Sequence, residues 1–196
     1  MSLNIIVCVK QVPDPEAPPS GYRIDPEAKR VIPPPGTPPV ISPFDENGLE
    51  AALRIKDIQK SKVTVISMGR NLSKAVLRKS LAIGADELIL LDDDAFEDVD
   101  SYATAFALST AIRKVGEYDL IFAGRQAADS DAGQVGSGIA ELLGIPSVTV
   151  ARKVELHDGR VRVQRVLPDG YQVIEAVLPA LITVGNELGE LRTATL

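Results

Sequence analysis

The most chemically suggestive part of the sequence is a polar, glycine-rich run at residues 124–138, GRQAADSDAGQVGSG. It follows the apolar run YDLIFA, which is typical of a strand buried on both faces. Gly133, Gly136 and Gly138 form a G-x-x-G-x-G pattern. The start of a helix attracts phosphate through free backbone N–H groups and the helix dipole. The run therefore predicts a phosphate site where a helix begins.

The amide groups of the first helical turn would bind that phosphate. The spacing predicts a helix over residues 133–143, ending at Gly144 before Pro146. Gly124 would let the backbone turn as it leaves the strand, and Arg125 adds a cation. The free donors would be the N–H groups of Ala132, Gly133, Gln134 and Val135.

Two aspartates in this run complicate the phosphate hypothesis. Asp129 and Asp131 would repel a phosphate that they faced. They could instead cap the helix, accept hydrogen bonds from ribose hydroxyls or hold a metal ion, and the glycines could serve only close packing. No further metal ligand is evident nearby, so we expect no metal site.

Established nucleotide motifs narrow the class of protein. The sequence contains no G-x-x-x-x-G-K-[ST], and no G-x-G-x-x-G follows its first strand. Its one histidine, His157, precedes a turn and has no catalytic partner beside it in the sequence. These features argue against a P-loop enzyme and a dinucleotide-binding dehydrogenase. They favour a domain that holds an adenine-nucleotide-like ligand without catalysing a reaction.

Short runs rich in valine and isoleucine alternate with helical patterns along most of the chain. This alternation predicts a doubly wound α/β domain with a mostly parallel sheet. The predicted strands are NIIVCV, KVTVISM, ELILL, DLIFAG and SVTVA. The predicted helices cover residues 45–59, 73–83, a segment that begins at Asp100 or Ser101, and 133–143. In the third helix, one face is predicted to comprise Tyr102, Ala105, Phe106, Ser109 and Ile112.

Two segments interrupt the alternation within what we expect to be one domain over residues 1–196. A proline-rich excursion at 13–43 contains the strand-like pieces YRID and RVI, which predict a hairpin over one sheet edge. After Ala151 the apolar period becomes two, with Asp-Gly turns, which predicts an antiparallel extension at about 152–178.

Composition excludes several partners. The net charge is -6 and no stretch is rich in Lys or Arg, so we expect no nucleic acid. The one cysteine, Cys8, cannot form an intrachain disulfide. No apolar segment approaches the roughly 20 residues of a membrane helix, and no signal peptide is evident, so we expect no membrane insertion and a cytoplasmic location.

Several motifs together resemble the beta subunit of the electron transfer flavoprotein, the EtfB and FixA proteins. They are VCVKQVPDP, ISPFDENGLEAALRIKD, VTVISMG, GRQAADSDAGQVG and DGYQVIEAVLPALIT, and the resemblance covers residues 4–196 in order. It implies a Rossmann-like sheet of the adenine nucleotide alpha hydrolase type. It also implies an alpha subunit partner, a redox FAD shared with that subunit, and electron transfer from dehydrogenases to an acceptor.

The resemblance also implies site residues. Phe44 would reach toward the flavin of the alpha subunit, and Thr195 and Leu196 would bind partner dehydrogenases. The implied nucleotide site consists of Cys8, Ser42, Pro43, Phe44, Asp45, Met68, Gly124, Arg125, Gln126, Ala127, Asp129, Asp131, Ala132, Gly133, Gln134 and Val135. Relatives continue in a C-terminal arm that wraps the alpha subunit, and we expect that arm to be absent here.

The resemblance leaves two alternatives for the occupant of the nucleotide site, AMP and a second FAD. KQVPD and VTVISMG resemble the electron-bifurcating branch, in which a second FAD is bound, whereas Pro-Phe-Asp at 43–45 resembles the branch that binds AMP. Ala132 stands where the family often has threonine, which favours AMP. The alternative function is a stand-alone adenine-nucleotide-binding or sensing protein of the same fold.

Overall fold

A computed structural model describes residues 2–27 and 29–194. Its strands are β1 (Leu3–Val9), β2 (Gln11–Val12), β3 (Arg23–Asp25), β4 (Arg30–Ile32), β5 (Val40–Ile41), β6 (Ser61–Gly69), β7 (Glu87–Asp92), β8 (Leu120–Gly124), β9 (Ser147–His157), β10 (Arg160–Leu167), β11 (Gly170–Val177) and β12 (Ala180–Val184). Its α-helices are α1 (Pro43–Ile58), α2 (Lys74–Leu77), α3 (Lys79–Ala82), α4 (Ser101–Val115) and α5 (Val135–Leu143).

The main sheet has the strand order β11-β10-β9-β12-β8-β1-β6-β7. Every pairing from β7 across to β9 is parallel, and β10 pairs antiparallel with both β9 and β11. Helices α1 to α3 pack on one face, and α4 and α5 pack on the other. This arrangement confirms the predicted doubly wound α/β fold with an antiparallel extension.

The core consists of two apolar layers, one on each face of the sheet. In β1, Ile5 and Val7 point into the layer under α1, while Ile6 and Cys8 point into the layer under α4 and α5. The strand is therefore buried on both faces, which explains why its sequence is continuously apolar rather than alternating.

Helix α1 begins at Pro43, two residues before the predicted start. Proline suits the first helical position because its φ is preset and its missing N–H would have had no acceptor in the helix. Asp45 and Glu46 in the first turn complement the helix dipole. The start at Pro43 places the Asp45 carboxylate at the edge of the sheet where the parallel strands end.

The predicted helix at 73–83 is instead two four-residue helices, α2 and α3, joined at Arg78. The N–H of Leu81 donates to the carbonyl of Arg78, and the hydroxyl of Ser80 donates to the carbonyl of Leu77 at 2.7 Å. These local bonds compete with the regular helical ladder, and the segment breaks there.

The predicted face of α4 is partly wrong. Tyr102 and Phe106 are 68% and 53% exposed, and the buried residues are Ala105, Leu108, Ser109 and Ile112. At 3.6 residues per turn, the two aromatic residues lie roughly 70° and 110° from the centre of the buried stripe. Both therefore lie beside the stripe, on the same side of it, and only the smaller side chains are buried.

Strand β9 joins two segments that the sequence pattern separates. Residues 147–151 pair parallel with β12, and residues 153–157 pair antiparallel with β10. The pairing registers shift near Val150, which has a φ of 56°, as in a β-bulge. The bulge lets one strand serve both the parallel core and the antiparallel extension.

The proline-rich crossover forms two small antiparallel pairs, β2 with β5 and β3 with β4. The β3–β4 hairpin exposes the side chains of Ile24 and Val31. In the ranges that the structure describes, no helix is long and apolar enough to cross a membrane.

Candidate functional site

A cavity of about 570 Å³ lies at the edge of the sheet where the parallel strands end. Its floor is formed where β1 and β8 lie side by side, and β1 also pairs with β6 on its other edge. The chain winds outward in opposite directions from this point, which makes it the topological switch point of the sheet. Open α/β sheets bind ligands at this place, and the volume is typical of small-molecule sites.

The Asp45 carboxylate joins three elements below the cavity. One of its oxygens accepts the N–H of Lys10 at 2.8 Å, and the other accepts the N–H of Gly124 at 2.8 Å. Burial raises the pKa of Asp45 to about 7, although the two amide donors act in the opposite direction. The carboxylate thus ties α1 to the ends of β1 and β8.

Gly124 is needed for close packing rather than for a sharp turn. A Cβ at this position would lie 2.5 Å from Oδ1 of Asp45 and 2.8 Å from Cβ of Phe44. Gly136 has a similar role, because a Cβ there would lie 2.6 Å from a methyl group of Thr183 on β12. Gly133, in contrast, has a φ of 64°, which glycine adopts without strain.

The two aspartates of the glycine-rich loop are held by other side chains. Both carboxylate oxygens of Asp129 accept hydrogen bonds from Nζ of Lys10, at 2.8 and 2.7 Å. Oδ1 of Asp131 accepts a hydrogen bond from Nε2 of Gln126 at 2.7 Å. Neither aspartate lines the cavity. The charge of Asp129 is therefore paired with that of Lys10, whereas Asp131 is bound by a neutral amide, and neither carboxylate faces a ligand in the cavity.

Helix α5 begins at Val135, two residues after the predicted start. The N–H of Gly138 donates to the carbonyl of Gln134, so the first-turn amides without an acceptor in the helix are those of Val135, Gly136 and Ser137. No side chain caps this end of the helix. The prediction of free amides at Ala132 and Gly133 as helical donors was therefore wrong, although both residues line the cavity.

Arg125 is one of the cationic residues that line the cavity. Its guanidinium lies 4.8 Å from the centre of the Phe44 ring, and Nη1 is 3.8 Å from a carboxylate oxygen of Glu187. Its Nε is buried, and no hydrogen-bond partner is described for it. Phe44 itself does not line the cavity but contacts Arg125, which does.

Cys8 and Met68, near the ends of β1 and β6, also line the cavity. Burial, with a smaller contribution from the charge of Asp45, raises the pKa of the Cys8 thiol to about 12. A thiol that stays protonated at neutral pH is a poor nucleophile. Cys8 therefore acts as an apolar wall residue.

The structure brings together most of the sequence-predicted site. The residues that line the cavity are Cys8, Asp45, Met68, Gly124, Arg125, Gln126, Ala127, Ala132, Gly133, Gln134 and Val135. Those that do not line it are Ser42, Pro43, Phe44, Asp129 and Asp131. Thr195 and Leu196 lie outside the described residues, so their predicted contact with dehydrogenases stays a prediction.

Sequence reasoning missed one side of the cavity. Lys10 and Arg70, which follow β1 and β6, line it, as do Phe96 and the start of α4 at Ser101 and Thr104. These residues could have been found from the sequence, because they follow predicted strands or lie at the start of a predicted helix. In the described part of the chain, no group of three or more His, Cys, Asp and Glu side chains is arranged to hold a metal ion.

Comparison with known proteins identifies the family. The model of the electron transfer flavoprotein domain matches residues 36–194. The electron transfer flavoprotein subunit beta of Thermoanaerobacterium thermosaccharolyticum is 50% identical over 186 residues, which cover 95% of this chain and 69% of that protein. The caffeyl-CoA reductase-Etf complex subunit CarD of Acetobacterium woodii is 44% identical over 191 residues, 97% of this chain and 71% of CarD. The FixA protein of Azotobacter vinelandii is 40% identical over 196 residues, which cover 97% of this chain and 68% of that protein. The chain therefore belongs to the electron transfer flavoprotein family, in the group of its beta subunits and FixA proteins.

Proposed function

We propose that this chain is an electron-carrier subunit that pairs with an alpha subunit and helps to carry electrons from dehydrogenases to an acceptor. Relatives at 50% and 46% identity are named as beta subunits, and a name of this kind implies a second, different chain. In the proposed heterodimer, an FAD held with the alpha subunit supplies the redox centre. Arg125 lines the cavity and Phe44 packs against its guanidinium, and we propose that this pair is on the side that faces the flavin.

We further propose that the cavity holds AMP. The observation that carries this proposal is that the start of α5 lines the cavity. Val135 and Gly136, whose amides have no acceptor within the helix, line it, and so does the cationic Arg125. These groups suit a phosphate group. The cavity is also lined by the apolar side chains of Met68 and Leu108, which suit an adenine ring. A second FAD is the alternative occupant of the same cavity.

The proposed role is to hold the nucleotide rather than to act on it. The carboxylate of Asp45 at the cavity floor is engaged by the backbone amides of Lys10 and Gly124. Asp129 and Asp131 are bound by Lys10 and Gln126, and the Cys8 thiol stays protonated because its pKa is raised. Side chains that hold the protein's own groups in this way shape a binding site, which supports a holding role.

Ligand release from purified protein tests the proposal. The chain is expressed with a flavoprotein alpha subunit and also alone, and the bound small molecules are separated after acid denaturation. We expect a heterodimer that contains FAD and AMP, and a colourless extract containing AMP from the chain alone. Flavin released from the chain alone would assign FAD to the cavity instead. Failure to form a heterodimer would contradict the subunit role.

A substitution in the loop tests where the phosphate binds. Gly133→Asp adds a negative charge beside the proposed phosphate site, so we expect AMP to be lost on purification. Gly159→Asp is the matched control, because Gly159 has a similar φ of 74° and lies in the turn after β9, away from the cavity. Retention of AMP by the Gly133 variant, or equal loss in both variants, would contradict this placement.

A further inference from the structure

Lys10 connects the end of β1 to the middle of the glycine-rich loop. Its backbone N–H is held by Asp45 at 2.8 Å, so its main chain is fixed at the floor of the cavity. Its Nζ reaches across the rim and binds both carboxylate oxygens of Asp129, at 2.8 and 2.7 Å. One residue thus joins the end of the sheet to the glycine-rich loop that lines the cavity.

The loop has few other strong attachments to the rest of the protein. Between residues 126 and 133, the other described hydrogen bond that leaves the loop runs from the N–H of Ala128 to Oγ of Ser42, and it is long at 3.4 Å. Two other hydrogen bonds stay within the loop: the N–H of Asp131 donates to the carbonyl of Ala127, and Nε2 of Gln126 donates to Oδ1 of Asp131. Internal bonds preserve the shape of the loop, but they do not hold it against the cavity.

We propose that Lys10 is a positioning residue for the bound nucleotide, which acts through Asp129 to hold the loop closed over the cavity and so slows nucleotide release. This inference rests on the proposed function, because it concerns the same cavity. The two side chains are 43% and 29% exposed. Partly exposed ion pairs contribute modestly, so loss of this pair is expected to accelerate release by about two- to fivefold.

The competing role for Lys10 is direct contact with the phosphate, since Lys10 also lines the cavity. The two roles predict opposite effects of Asp129→Asn. If Lys10 acts through Asp129, the substitution loosens the loop and speeds release. If Lys10 binds phosphate directly, the substitution frees its ammonium group for the ligand and slows release.

The test measures the release of radiolabelled AMP after a chase with excess unlabelled AMP, on the full chain in complex with the alpha subunit. We expect Lys10→Met, Asp129→Asn and the double variant to release AMP faster by the same factor. Lys62→Met is the matched control, because Lys62 forms a 2.7 Å ion pair of similar exposure with Glu87, away from the cavity. Release at the wild-type rate from Lys10→Met, or slower release from Asp129→Asn, would overturn the proposal.

Hydrogen exchange provides a readout that needs no ligand. In the nucleotide-free protein, Lys10→Met should accelerate amide exchange across residues 126–133 while the exchange of β1 and β8 stays unchanged. A protein that binds no AMP would contradict the proposed function, but this measurement would still decide the role of Lys10. Unchanged amide exchange in the loop of Lys10→Met would overturn the positioning role of Lys10.

Discussion

The carboxylate of Asp45 accepts a hydrogen bond from the backbone amide of Gly124 at 2.8 Å, so the first turn of α1 is fixed against the end of β8. Both residues lie at the floor of the cavity. The two residues can approach this closely because Gly124 has no side chain. The contribution of this contact to the free energy of unfolding can be measured.

Gly124→Ala should destabilise the protein. The added Cβ would lie within 3 Å of both Asp45 and Phe44, so the packing of α1 on β8 must shift, at a cost of about 1–3 kcal/mol in the free energy of unfolding. Urea denaturation measures this change. Gly48→Ala in α1 is the control: its Cβ would have ordinary contacts at 3.6 Å, and alanine favours the helix, so it should be neutral or stabilising. Equal stability of the two variants would show that the close approach at Gly124 is unimportant.

Through Asp45, the free energy of unfolding should fall as the pH rises, which is opposite to the effect of a carboxyl group whose pKa is lowered by folding. Because burial raises its pKa from 3.8 to about 7, the folded protein holds this proton more tightly than the unfolded chain. Its contribution to stability is therefore complete below about pH 4 and is lost as the pH rises through about 7. The difference in unfolding free energy between wild type and Asp45→Asn should narrow over this range. A difference that widens with pH would mean that the two amide donors outweigh burial and lower the pKa.

Arg192 should hold the end of the described chain on α1. Its guanidinium binds Glu50 at 3.0 Å and Asp57 at 2.7 Å. Arg192→Met should cost about 1–3 kcal/mol, because it removes charged hydrogen bonds from the buried Glu50 carboxylate. Lys153→Met is the control, since the Lys153–Glu155 pair is about half exposed and should contribute little. Similar losses in the two variants would contradict a specific role for Arg192.

The effect of Arg192 should weaken in acid. Burial alone would raise the pKa of Glu50, but hydrogen bonds from Arg192 and Arg54 outweigh it and lower the pKa, and a hydrogen bond from Arg192 also lowers the pKa of Asp57. Groups with a lowered pKa stabilise the fold above their usual pKa and lose this contribution as the pH falls. We therefore expect the difference in unfolding free energy between wild type and Arg192→Met, measured by urea denaturation, to shrink from pH 7 down to pH 3. A constant difference would indicate lost packing rather than lost charge pairing.

Ser67→Ala should leave stability unchanged or increase it. Ser67 is fully buried in β6, and no hydrogen-bond partner is described for its hydroxyl. Ser80→Ala is the matched control, because Ser80 is equally buried but donates to the carbonyl of Leu77 at 2.7 Å. Thermal unfolding should show a loss of about 1 kcal/mol for Ser80→Ala alone. A comparable loss for Ser67→Ala would show that its hydroxyl is satisfied.

The sequence by itself determined the elements of the sheet and the edge at which the site lies. Continuous apolar runs such as LIFA at 120–123 arise because a central parallel strand is covered on both faces, and this signal is local. A polar, glycine-rich loop after such a strand falls at the edge where the parallel strands end, whatever the order of the strands. The positions of Arg125 and Gly133 at the cavity could therefore be predicted from the sequence alone.

Only the tertiary structure decided which side chains meet. Lys10 and Asp129 are 119 positions apart, and they meet because β1 and β8 are neighbours in the sheet, which no local pattern specifies. Likewise, Tyr102 and Phe106 have the periodicity of a buried face, but the width of the packed surface leaves them exposed. Side-chain periodicity is a property of one element, whereas burial and pairing depend on how elements are placed against each other. For this reason the sequence predicted the loop but left the role of its two aspartates open. The fold shows that Lys10 binds Asp129 and that Gln126 binds Asp131.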